Sequence, residues 1–222
     1  MNAYYAPLHK LFLQHANKAN ADAMKAYLKN QFDFFGIKTD QRRACCKQFL
    51  EQYGLPDLKQ LEDIVLDLYN QQQREFHYFA IELLLKLKKQ WTVKTLKLFE
   101  KLILKNSWWD TVDLIAAHGI ANKYLKFKHE TLVYINKWNG SENMWLIRTS
   151  IIFQNNLKSK TDARVLFANI KKHTGSNEFF IQKAIGWALR QYAYTDATPV
   201  IKFCKSNKLK PLSYREAMKH LN

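Results

Sequence analysis

Phe179-Phe180-Ile181-Gln182-Lys183-Ala184-Ile185 recurs with changes as Glu75-Phe76-His77-Tyr78-Phe79-Ala80-Ile81 and as Met144-Trp145-Leu146-Ile147-Arg148-Thr149-Ser150. In each window a large aromatic residue is followed four positions later by a small or hydroxylated one. With Trp109 as a fourth member, the aromatics Phe76, Trp109, Trp145 and Phe180 stand 33, 36 and 35 residues apart. Apolar residues recur at helical spacing along the chain, and no strictly alternating run of β-branched residues interrupts them. A period near 35 in such a chain implies stacked helical hairpins, each burying its apolar side only against its neighbours. Roughly six hairpins fit this length at that repeat size. The expectation is an all-α fold, a right-handed or curved solenoid with a basic concave groove, in which residues 1–222 form a single repeat domain.

Working outward, helices are expected from Tyr4 to about Asn17 and from Asp22 to about Asn30, with Gly36-Ile37 ending the pair. Thr39 is a candidate N-cap for a basic helix carrying Arg42, Arg43 and Lys47, which Gly54-Leu55-Pro56 stops. Leu58, Leu61, Val65 and Leu68 trace one apolar stripe, and Phe76, Phe79, Ala80, Leu83, Leu84 and Leu87 another, giving a hairpin. Next, Lys94, Lys97, Lys101 and Lys105 share a helix face opposite Leu96, Phe99 and Ile103.

That lysine face leads into Ser107-Trp108-Trp109-Asp110-Thr111-Val112-Asp113. Ser107 and Asp110 have capping-box spacing, so a helix is expected to start at Trp108. Asp113 then lies one turn after Trp109, its carboxylate beside that indole on one face, an arrangement that can stabilise a cation. The plainer reading makes the tryptophans core and pairs Asp113 with a lysine. If the repeat helices line the concave surface, Trp109, Asp113, Arg148, Lys183, Trp187 and Arg190 face a common groove suited to a phosphate backbone. The plainer alternatives are burial of Trp187 among Ile181, Ile185 and Leu189, and a salt bridge from Arg148 to a neighbouring helix.

Thirty-five Lys and Arg against nineteen Asp and Glu leave a formal charge of +16. This favours an anionic partner, nucleic acid before membrane, bound in a salt-sensitive manner. Six glycines, four prolines and no low-complexity linker argue for one unit. Cys45, Cys46 and Cys204 have neither disulfide-framework nor zinc-ligand spacing, which fits a reducing compartment. With no signal segment and no long apolar run, the expectation is a soluble cytoplasmic protein. The scattered histidines form no HExxH pair, and no glycine-rich phosphate loop occurs, so metal, nucleotide and acyl-transfer chemistry lose weight.

The stretches Ser107 to Asp113, Trp145-Leu146-Ile147-Arg148, Phe179 to Tyr192 and Arg215-Glu216-Ala217, taken together and in order, resemble the AlkD-like DNA alkylation repair glycosylases. That resemblance covers nearly the whole chain and implies about six HEAT-like repeats. It further implies a monofunctional glycosylase, without metal or other cofactor, that excises cationic alkylated purines such as 3-methyladenine and 7-methylguanine from duplex DNA without flipping the base. Asp113 would stabilise the oxocarbenium-like sugar, while Trp109 and Trp187 offer aromatic faces to sugar and lesion. Arg148, Arg190, Arg43, Thr39, Tyr27 and Lys183 would be the DNA-binding residues of a monomeric enzyme. A non-catalytic paralogue that recognises damaged or bent DNA is the alternative. Lys38, Ile147 and Thr149-Ser150 depart from the family pattern, and these changes bear on lesion preference more than on chemistry.

Overall fold

The computed structural model describes residues 2–221, and among them the regular structure is helical, with one isolated bridge between Asp33 and Gln73. No described helix is long and apolar enough to cross a membrane. Backbone contacts divide the chain into two compact units, one running to Gln90 and the other starting at Trp91.

In the first unit a 3-10 turn, Ala3–Tyr5, precedes α1 (Ala6–Gln14), α2 (Lys18–Tyr27), α3 (Thr39–Tyr53), α4 (Leu58–Tyr69) and α5 (Arg74–Lys86). The earliest helix boundaries differ from the sequence expectation. Asn17 does not extend α1; its side chain accepts the Asn20 amide at 2.9 Å and starts α2 instead. Left-handed Lys29 and Asn30 follow the end of that helix. Thr39 is the first helical residue rather than the cap: Lys38 is the N-cap, without a side-chain bond, and its carbonyl accepts the Arg42 amide at 2.8 Å. Gly54, at φ 72°, ends α3 as expected.

The repeat aromatic Phe76 is the hub of this unit's core, fully buried with ring centroids of Phe12 and Phe35 at 5.5 Å and of Tyr5 at 5.6 Å. Each such contact adds roughly 0.5–1.5 kcal/mol beyond its apolar burial. Beside it the buried carboxylate of Glu75 accepts the amides of Phe35, Gly36 and Ile37 at 3.1, 2.9 and 3.2 Å, pinning the loop between α2 and α3. Gly36 is required there, because at φ 85° a Cβ would lie 2.0 Å from the Asn17 carbonyl oxygen.

The second unit begins with α6 (Thr95–Leu104), where Leu96, Phe99 and Ile103 are buried while Lys94, Lys97 and Lys101 are exposed. The amphipathic pattern is thus realised. Next, α7 (Trp109–Leu114) continues through a π-helical segment, Ile115–Ile120, into α8 (Ala121–Lys126). Gly119 in that segment lets the Phe99 ring approach, since a Cβ would meet it at 2.9 Å. The Ser107 capping box does not form. Trp108 is the N-cap, and the Ser107 hydroxyl turns back to donate to the Ile103 carbonyl at 2.6 Å, satisfying the end of α6 instead.

Then follow α9 (Lys128–Asn139), α10 (Met144–Ile152), α11 (Ala163–Lys171), α12 (Phe179–Ala193), α13 (Ala197–Ser206) and α14 (Pro211–Met218). Here α10 packs on α9 and α12, and α12 packs on α13 and α14, so hairpins stack in chain order. Trp109 opens α7, while Trp145 and Phe180 lie in the first turns of α10 and α12. The departures Thr149 and Ser150 are buried and donate to the Trp145 and Ile147 carbonyls, and Ser150 also accepts from Asn139 at 2.9 Å. They join a buried polar layer between helices.

Candidate active site

Asp113 is the fifth residue of α7, one turn after Trp109, and α-helical geometry puts it on the same side as that half-buried indole. From α10, Arg148 reaches it with a fork: Nε donates to Oδ1 and Nη2 to Oδ2, both at 2.7 Å. The third arm, Nη1, donates to the Phe180 carbonyl at the start of α12, also at 2.7 Å. One guanidinium therefore ties three helices together, with its plane fixed by the bidentate match to the carboxylate.

Exposure differs between the two members of this pair. The Asp113 side chain keeps 16% of its surface exposed, against 6% for Arg148. Asp113 is therefore the less enclosed member of a largely buried pair. Arg148, expected to hold phosphate, has Nε and Nη2 on Asp113 and Nη1 on the Phe180 carbonyl, the salt bridge to a neighbouring helix that was the alternative. Burial pushes the Asp113 carboxyl above the usual carboxylate range, opposed by the hydrogen bonds and charge of Arg148 and reinforced by Asp110.

Beneath the pair lies an aromatic cluster. Trp108 stands 5.7 Å from Trp145 and 5.2 Å from Phe180, and Trp145 stands 5.0 Å from Phe180. The Arg148 guanidinium carbon is 6.0 Å from the Phe180 ring centroid. Two of the repeat aromatics, Trp145 and Phe180, thus cluster with Trp108, and the cluster adjoins the ion pair through Phe180.

Along α12, Lys183, Trp187 and Arg190 follow at i, i+4 and i+7, with Trp187 half-buried rather than sealed in the core. Both expected DNA cations on this helix have a carboxylate partner within the protein. Glu216 of α14 accepts from Lys183 Nζ through Oε1 at 2.8 Å and from Arg190 Nη1 through Oε2 at 2.6 Å. Those two bonds hold the Glu216 carboxyl down at about 2. In the first unit Tyr27, Thr39 and Arg43 are exposed, and Arg43 has only a 3.9 Å approach to Glu82. The sequence reading had assigned no role to Glu216, to the Phe180 carbonyl or to Trp108. No local pattern pointed to Glu216, which lies 33 and 26 residues from its two partners.

Among curated proteins, none matches the sequence. A solved structure described as a predicted DNA alkylation repair enzyme from Enterococcus faecalis is 33% identical, with a TM-score of 0.87, covering 93% of this chain and 97% of its own. The two share the same all-helical fold. The model of a family described as DNA alkylation repair enzyme matches residues 8–221. A match of that extent, on a chain whose repeat helices converge on a supported carboxylate, leaves one conclusion: the chain belongs to the DNA alkylation repair enzyme family.

Proposed function

We propose that the protein is a monofunctional DNA glycosylase that hydrolyses the N-glycosidic bond of cationic alkylated purines, 3-methyladenine and 7-methylguanine, in duplex DNA. The observation that carries this reading is the largely buried Asp113 carboxylate, on the Trp109 side of its helix and held by the Arg148 fork. A cationic base needs no protonation to leave. As the bond breaks, its electron pair stays with the base and the positive charge passes to the sugar. Asp113 stabilises that oxocarbenium-like sugar, and water then attacks the anomeric carbon with its proton passing to the carboxylate or to solvent. Trp109 and Trp187 offer aromatic faces to sugar and lesion, each contact worth on the order of 2 kcal/mol if desolvated. The base is cleaved without being flipped into a pocket. Arg148 orients the catalytic carboxylate, while exposed Tyr27, Thr39 and Arg43 act as contacts to the DNA backbone.

The test is release of base from duplex DNA carrying 7-methylguanine under single-turnover conditions. Asp113→Asn keeps the side chain's size and removes its charge, so excision should fall by roughly 10²–10³ while DNA affinity is retained. The second reading, a non-catalytic paralogue that binds damaged or bent DNA, draws on the Arg148 fork, which neutralises much of the Asp113 charge. Tight binding without base release by the unmodified protein would select it.

A further inference from the structure

We infer that Glu216 is a positioning residue for Trp187: by clamping Lys183 and Arg190 it fixes the rotation of α12, and so sets where that indole is presented. The inference rests on the proposed role of Trp187.

Two anchors hold α12. At its N-terminal end, the Phe180 carbonyl is bound by Arg148, which in turn holds Asp113. The buried face of α12, Ile181, Ala184, Ile185, Ala188 and Leu189, packs on α10, α13 and α14, and the clamp adds polar bonds to that packing. Further along, the Glu216 carboxylate spans Lys183 and Arg190, and the Glu216 carbonyl accepts from Arg190 Nη1 at 3.2 Å. Trp187 lies between the two clamped cations on the helix, four residues after one and three before the other. A rotation that moves Trp187 carries Lys183 and Arg190 with it and so strains these bonds.

The seam between α12 and α14 is built to keep that clamp short. Gly186, next to Trp187, has no side chain where α14 passes: a Cβ would lie 2.4 Å from the Glu216 Cβ and 2.8 Å from the Ser213 carbonyl oxygen. Fully buried Ser213 donates its hydroxyl to the Gln182 carbonyl at 3.0 Å. Glu216, Gly186 and Ser213 thus fix spacing, register and rotation of one helix pair. The clamp also keeps Lys183 and Arg190 on the protein instead of on phosphate, so that the indole between them, rather than either charge, is the group presented.

The test is a double-mutant cycle. Glu216→Gln should lower the single-turnover rate by roughly 10–100-fold, the scale of about 1 Å misplacement near a reacting centre. Affinity for undamaged duplex should hold or tighten as Lys183 and Arg190 are released. Glu216→Asp should recover part of the rate. In a Trp187→Ala background, Glu216→Gln should cost little more, because the carboxylate acts through the indole. Cys204→Ser, which puts a hydroxyl at one of the two buried positions of α13, serves as the stability control and should excise at the wild-type rate below its Tm. Full activity in Glu216→Gln, full additivity with Trp187→Ala, or an equal loss in Cys204→Ser would each overturn the inference. If the unmodified protein releases no base, the proposed function falls. The positioning role is then decided by a crystal structure of Glu216→Gln, where a displaced Trp187 indole supports it and an unmoved one overturns it.

Discussion

Arg148 holds Asp113 through two parallel 2.7 Å hydrogen bonds across a sequence separation of 35 residues, one repeat of the helical array. The carboxylate therefore comes from one hairpin and its support from the next, and the pair cannot form unless successive repeats stack in register.

Removing one member of this pair should cost more than removing both. Arg148→Ala strands a buried carboxylate, a loss of about 3–5 kcal/mol of folding stability. Adding Asp113→Asn should recover part of that loss, because the unpaired charge is gone. Urea denaturation of the two single variants and the double variant measures the coupling; strict additivity would contradict the geometry.

The acid limb of the excision profile should lie at higher pH than an ordinary exposed aspartate would give. The reaction needs Asp113 ionised, and burial raises its pKa, so as pH falls the carboxylate takes up its proton earlier. Single-turnover rates across the acid range locate the limb, and a limb at the position of a solvent-exposed aspartate would count against Asp113 as the titrating group.

Glu216 should make the fold acid-sensitive in a definite window. Its pKa is depressed from 4.5 to about 2 in the folded protein, chiefly by hydrogen bonds from Lys183 and Arg190. Its contribution is therefore present in full above about pH 4.5 and lost as pH falls toward 2. Allowing for solvent screening around the partly exposed Lys183, this is on the order of 1–2 kcal/mol. The difference in urea midpoint between wild type and Glu216→Gln should shrink across that window, and a constant difference would refute the assignment.

Glu75→Gln should destabilise the first unit by roughly 1–3 kcal/mol. Both carboxylate oxygens accept amides from the Phe35–Ile37 loop, and an amide group in their place turns one acceptor into a donor facing another donor. Hydrogen exchange at Phe35, Gly36 and Ile37 should accelerate before that of helix interiors. Unchanged protection would mean that the loop is held by other contacts.

The helical class, the near-35-residue period and the repeat aromatics were legible in the sequence, because apolar periodicity and the burial of large rings depend on neighbours within a few turns. For the same reason the sequence offered Trp109 and Asp113 as an i,i+4 pair on one helix face. Capping misled at Ser107, since a hydroxyl can serve either the helix behind it or the one ahead, and here the Ile103 carbonyl took it. What only the tertiary structure decided is where the cations go. Arg148 finds Asp113 35 residues away, Lys183 finds Glu216 33 away, and Arg190 finds that same residue at a separation of 26. A long, flexible cation can reach several partners, and the choice among carboxylate, carbonyl and bound phosphate depends on distances between packed helices that no local pattern encodes.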